Sequence, residues 1–207
     1  MENIKKAVTI YAESTPNPMV MKFVANKMII EGDALEYKNI EEAKASPLAY
    51  QLFHFPFIKE VFISGNFIAL AKFDVIAWEE VSAELREFVR NWLHEGKKVV
   101  DESVKIATET ISQPEKESNK IVLPEFESLG EIEQRIVEIL DEYVAPAVSA
   151  DGGMIRFISY EDKIVKVLLQ GACSGCPSST ATLKQGISGL LQKMLPTLVK
   201  DVQAVNG

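Results

Sequence analysis

The sequence predicts an α+β protein: two small α/β-type domains joined by a linker, the second with the element order α-β-β-α-β. Three observations carry this. Strand-sized apolar runs alternate with segments of helical periodicity at both ends of the chain. Between them, 103–124 contains no aromatic residue and is rich in Glu, Lys, Ser, Thr, Gln and Pro. Such a stretch buries too little apolar surface to offset its ordering entropy. The 207 residues also suit one large domain or two small ones, at roughly 100–200 residues per domain. The expected division is 1–97, a linker over 98–127, and 128–207. The segment from Gln113 to Lys120 is the least foldable, and a surface helix over Asp101–Ile111 is the alternative for the linker's start.

The first domain is expected to begin with strands at Ala7–Tyr11 and Val20–Val24. Between them, Pro16-Asn17-Pro18 restricts φ and makes a turn. Ile40–Phe55 reads as a helix. Val61–Leu70 reads as two strands around Ser64-Gly65-Asn66. Trp78–His94 places Trp78, Val81, Leu85, Phe88, Val89 and Trp92 at helical spacing, and Gly96 suits its end.

In the last part, Leu129–Val144 sets Ile132, Ile136, Ile139, Leu140 and Tyr143 on one helical face, and Pro146 follows. Asp151-Gly152-Gly153 is a turn. Met154–Tyr160 and Ile164–Leu169 are strands around Glu161-Asp162. Ser178–Leu195 is a helix with Leu183, Ile187, Leu190, Leu191, Met194 and Leu195 in its apolar stripe. Val199–Val205 is a short final strand.

Charge and composition exclude several functions. There are 22 Lys plus Arg against 30 Asp plus Glu, a net charge of −8. That balance argues against a general nucleic-acid binder, whose affinity comes from clustered cations. No apolar run reaches the roughly 20 residues of a membrane span, so no membrane association is expected. The first ten residues contain two lysines but no long apolar run and no small-residue cleavage site, so no signal peptide is expected. The two cysteines, Cys173 and Cys176, stand in one tight cluster, which is not a disulfide framework. These features predict a reduced cytoplasmic protein whose thiols do chemistry or bind metal.

The informative segment is Gln170-Gly171-Ala172-Cys173-Ser174-Gly175-Cys176-Pro177-Ser178-Ser179-Thr180. It leaves an apolar strand, passes two cysteines and enters a helix. Pro177 suits a helix start and Ser178 and Ser179 suit a cap. Both sulfurs are thus expected near a helix N-terminus, whose positive end lowers thiol pKa. The spacing alone admits a redox dithiol, half of a zinc or iron–sulfur site, or two unremarkable cysteines. A redox pair usually follows the first strand of a βαβ unit, whereas here a hairpin precedes the motif, which favours metal. Two thiolates per chain cannot complete a four-thiolate site, which needs a second pair.

The run Leu169–Ile187, with Val144–Gly153 upstream, resembles the NifU C-terminal (Nfu) domain over about 128–207. Glu13-Ser14-Thr15-Pro16-Asn17-Pro18, Met21-Lys22-Phe23, Ala45-Ser46-Pro47-Leu48-Ala49 and Val61-Phe62-Ile63 resemble the Nfu N-terminal domain. The chain departs from that pattern at Phe55-Pro56-Phe57-Ile58. The resemblance implies a non-enzymatic iron–sulfur cluster carrier. It implies that Cys173 and Cys176 ligate a cluster, a [4Fe–4S] shared by a homodimer, and deliver it to apo iron–sulfur proteins. Full NifU-type scaffolds add a three-cysteine assembly domain, and no cysteine precedes Cys173 here. The carrier would therefore work downstream of a primary scaffold protein. The alternatives are a thiol–disulfide oxidoreductase using the same pair and a structural zinc dimer.

Other residues invite functional readings. His54 and His94 lack a second ligand at helical spacing and read as surface or cap histidines. Trp78 and Trp92 read as core or rim residues. Asp151-Gly152-Gly153 reads as a helix-to-strand turn, with contact to a cluster or partner as the alternative. The Glu-rich segment 131–142 reads as a solvated helix face.

Overall fold

The computed structural model describes residues 7–101, 123–173 and 177–206, with backbone only at 177–180 and 206. The chain divides into two units, Met1–Glu115 and Lys116–Gly207.

Unit 1 contains β1 (Ile10–Ser14), β2 (Val20–Ala25), β3 (Leu35–Tyr37), α1 (Pro47–Leu52), β4 (Ile58–Ser64), β5 (Phe67–Lys72) and α2 (Trp78–His94). The strands form one sheet in the order β1-β2-β5-β4-β3, and every pairing is antiparallel. Phe23 of β2, Val61 and Ile63 of β4, and Ile68 and Leu70 of β5 share a core with Leu48 and Leu52 of α1 and Leu85 and Val89 of α2. The alternate positions Val24, Phe62, Phe67 and Ala69 are buried as well. That is why these strands read as apolar runs with little alternation.

The strand expected over Ala7–Tyr11 lies at Ile10–Ser14, where it pairs with Met21–Ala25, and β4 starts at Ile58 rather than Val61. Two further local features depart from the sequence expectation. The helix expected over Ile40–Phe55 is broken: Glu42–Ala45 is a 3₁₀ turn, and α1 starts only at Pro47. Ser46 lies between them with extended backbone, because the residue before proline is pushed out of the helical region. Its hydroxyl accepts from the Ala49 N–H at 3.2 Å and donates to the Val99 carbonyl at 2.7 Å. The second departure is β3, three residues long, which carries too little pattern to be read alone. The turn at Pro16-Asn17-Pro18 satisfies itself. The Asn17 side chain accepts from the Met19 N–H at 3.0 Å, and its carbonyl accepts from the Val20 N–H at 2.9 Å.

The chain beyond α2 stays tied to unit 1 as far as it is described. Trp92 Nε1 donates to the Lys98 carbonyl and the Asp101 N–H donates to the Ala45 carbonyl. The rest of the expected linker up to residue 122, with most of the alternative helix over Asp101–Ile111, lies outside the described residues.

Unit 2 contains α3 (Glu131–Ile139), a π-helical turn (Leu140–Val144), α4 (Ala145–Ala150), β6 (Gly153–Glu161), β7 (Ile164–Gly171), α5 (Pro177–Met194) and β8 (Asp201–Asn206). The α-β-β-α-β order holds, with the first helix longer than expected. Pro146 does not end it. The chain widens into the π turn, where the Ala145 N–H reaches the Leu140 carbonyl, and restarts as α4 with Pro146 in its first turn. A proline is tolerated there because its missing N–H has no intrahelical partner.

In the three-stranded sheet β7 is central. It pairs antiparallel with β6 and parallel with β8, and α5 makes the crossover. Val165, Val167 and Leu169 of β7 are fully buried against Ile136, Ile139, Val148, Ile187 and Leu191. Among the described residues no helix is long and apolar enough to cross a membrane.

Candidate functional site

The motif lies where the central strand β7 gives way to α5. The exit is made by glycine: Gly171, the last residue of β7, has φ 68°, a left-handed conformation that L side chains rarely adopt. The chain then turns back over the α4–β6 connection. The Ala172 N–H donates to the Gly152 carbonyl at 3.2 Å, and Gly153 pairs with Gly171 at the end of the β6–β7 ladder. Gly152 itself has φ 80°. Two turns, Asp151–Gly153 and Gly171–Cys173, are therefore pinned together at one corner of unit 2.

Cys173 occupies that corner. Its side chain is buried, 7% exposed, and joins the unit 2 core with Val148, Leu169 and Ile187. This alters the expected electrostatics. The N-terminal end of α5 was expected to lower both thiol pKa values. Instead, burial, reinforced by the nearby Asp151 carboxylate, pushes the Cys173 thiol up to about 11. The helix begins only at Pro177, four positions further on, so Cys173 precedes its first turn. As positioned, Cys173 is a weak nucleophile at neutral pH. Ser174, Gly175 and Cys176 lie outside the described residues, so Cys173 is the member of the candidate pair whose surroundings are defined.

Asp151 follows the last residue of α4, and its N–H bonds to the Ala147 carbonyl. Asp151-Gly152-Gly153 is thus a helix-to-strand turn, and Gly153 also lies directly against Cys173. The sequence shows the turn and leaves contact to a cluster or partner as its alternative; the closeness of Gly153 to Cys173 is a contact between residues twenty apart, which no local pattern signals.

The other candidate residues resolve into local structure. His54 Nδ1 is 2.9 Å from the Tyr50 carbonyl and its ring meets that of Tyr50 edge-on. His94 is in the last turn of α2, where a basic side chain suits the helix end. Trp78 is buried and donates to the Pro18 carbonyl at 3.0 Å. Among the described residues no three His, Cys, Asp or Glu side chains are grouped to hold a metal ion.

Comparison with known proteins follows the same division. Residues 10–96 match the family model described as "Scaffold protein Nfu/NifU N terminal", and residues 136–203 match "NifU-like domain". The chain is 30% identical over 202 residues to "NFU1 iron-sulfur cluster scaffold homolog, mitochondrial" of Drosophila willistoni. It is 31% identical over 203 residues to "NifU-like protein 4, mitochondrial" of Arabidopsis thaliana. Each alignment takes in 97% of this chain, which spans 65% of the first relative and 66% of the second.

These names correct the cytoplasmic expectation, because the relatives are mitochondrial proteins. The physical reason is plain. A reduced cysteine pair selects a reducing compartment without saying which one, and the first residues of a chain shorter than its relatives carry no information about a leader. The two matched models, in order and joined in relatives along 97% of the chain, decide its kinship: this chain belongs to the Nfu/NifU family, with an Nfu N-terminal domain followed by a NifU-like domain.

Proposed function

We propose that this chain is a non-enzymatic iron–sulfur cluster carrier, and that Cys173 and Cys176 hold the cluster as cargo. The observation that carries this reading is the match of residues 136–203 to the NifU-like domain, with both cysteines inside it. The words "iron-sulfur cluster scaffold" in the name of the Drosophila relative support it.

Two thiolates per chain complete a Cys₄ site only when two chains meet, so the cargo is bridged by a homodimer; four thiolates suit either [2Fe–2S] or [4Fe–4S], and the family resemblance favours [4Fe–4S]. Residues 1–172 supply no thiol, and the cluster comes from a separate upstream scaffold protein. Release proceeds by ligand exchange: thiolates of an apo-protein replace the bridging cysteines one at a time, with no change in oxidation state. The first domain docks donor or recipient, and the linker that follows its last tie at Asp101 lets the second reach it.

Anaerobic reconstitution with iron and sulfide tests the proposal. The expected product is a brown dimer with one cluster, established by iron, sulfide and native mass together. It then loses its colour to an apo-acceptor enzyme whose activity appears. A colourless protein that reduces insulin disulfides would establish the oxidoreductase instead. Tight zinc in a dimer that takes up no iron would establish the structural zinc site.

A further inference from the structure

We propose that Gly153 is a positioning residue for Cys173, its missing side chain being the space in which the Cys173 sulfur is seated. Most glycines at this corner are explained by backbone conformation: Gly152 and Gly171 have φ of 80° and 68°. Gly153 is not among the glycines of positive φ, so its backbone suits any L-residue. What excludes a side chain is space. A Cβ at 153 would lie 2.7 Å from Cys173 Sγ, 3.2 Å from Cys173 Cβ and 2.8 Å from the Gln170 carbonyl oxygen. Separations under 3.0 Å essentially do not occur for real Cβ atoms. Gly153 is also the first residue of β6, paired with Gly171 two positions before Cys173. The ladder therefore holds the gap and the thiol in register. The direction from which Cys173 meets a ligand is set by a residue twenty positions upstream that has no polar atom to offer.

The consequence for cargo rests on the carrier reading above; the seating itself does not. The test uses the full chain. In a Cys176→Ser background, where Cys173 is the one thiol, Gly153→Ala is expected to speed alkylation of Cys173 at fixed pH by roughly tenfold or more, because the sulfur is displaced from the core. Gly153→Ala should also lower Tm, and lower it less when Cys173→Ala is present, since that change removes the 2.7 Å contact with Sγ while the Cys173 Cβ and Gln170 carbonyl remain. If Gly153→Ala does not fold, recovery in the double variant supports the seating. Failure of both variants overturns it and assigns the requirement to the Gln170 carbonyl. An unchanged alkylation rate, or an equal Tm loss in both backgrounds, overturns it likewise. After reconstitution, Gly153→Ala should hold severalfold less iron than the parent, and Gly189→Ala, where a Cβ meets nothing within 4 Å, should match the parent. If the parent takes up no cluster, the carrier reading fails while the thiol and Tm results still decide the role of Gly153.

Discussion

Gly153 and Cys173 touch across the end of the β6–β7 ladder, so closely that a methyl group on residue 153 would lie 2.7 Å from the cysteine sulfur. The contact joins two turns of unit 2. One turn ends α4 and the other ends the central strand.

Removing either motif thiol should abolish cargo binding. Cys173→Ser and Cys176→Ser each leave a dimer with two thiolates where a cluster needs four. Iron and sulfide content after anaerobic reconstitution should fall to background in both, while far-UV circular dichroism remains that of the parent. A full cluster in either variant would remove that cysteine from the site.

The buried thiol makes apo-protein stability depend on pH in the alkaline range. Below its ordinary 9.0, Cys173 is protonated in both folded and unfolded chains and contributes no slope. Between 9 and about 11 the unfolded thiol has lost its proton and the folded one has not. The unfolded state then binds fewer protons, and stability falls as pH rises. The Tm of unit 2 should therefore decline across this window more steeply in the parent than in Cys173→Ala. Parallel declines would show that Cys173 titrates normally.

Ser46 ties the start of α1 to the chain beyond α2. The residue is fully buried, and its hydroxyl serves both the Ala49 N–H and the Val99 carbonyl. Ser46→Ala leaves these groups without that partner and should cost unit 1 about 1–3 kcal/mol. Both tryptophans, Trp78 and Trp92, lie in α2, so denaturation followed by tryptophan fluorescence reports unit 1 selectively. An unshifted midpoint would mean that neither bond matters.

The β6–β7 hairpin carries avoidable strain. Glu161 pairs with Ile164, and the two loop residues Asp162 and Lys163 have φ of 52° and 65°. Positive φ at both positions is the type I′ pattern, which favours Asp-Gly. Lys163→Gly should stabilise unit 2 by about 0.5–1 kcal/mol, since a non-glycine residue in this region costs roughly that or more. The Lys200 N–H bond to the Lys163 carbonyl is a backbone bond and should survive. A lowered Tm would show that the lysine side chain contributes more than its backbone costs.

How much of this was legible varies with the range of the interactions involved. α2 spans Trp78–His94 in sequence reading and structure alike, because its apolar positions repeat over several turns with one consistent face. β4 and β5 were legible for a related reason: a glycine turn separates two continuous apolar runs. The helix over Ile40–Phe55 was misread because the effect of Pro47 on Ser46 outweighs the propensity of the residues around it. Pro146 misled in the opposite direction, since a π turn absorbs a proline that ordinarily ends a helix. β3 exists because β4 offers it an edge, which no three-residue pattern announces.

By itself the sequence determined the α+β class, the division around an apolar-poor middle, and the two thiols that one chain can offer, since composition and short-range periodicity are local quantities. Only the tertiary structure decided that Cys173 is buried rather than poised at a helix end. It also decided that Asp151 lies near enough to raise its pKa, and that Gly153 lies directly against a sulfur twenty residues away. Those facts depend on β6 and β7 closing into a ladder, and contact across a ladder is fixed by register between distant residues, which no window along the chain contains.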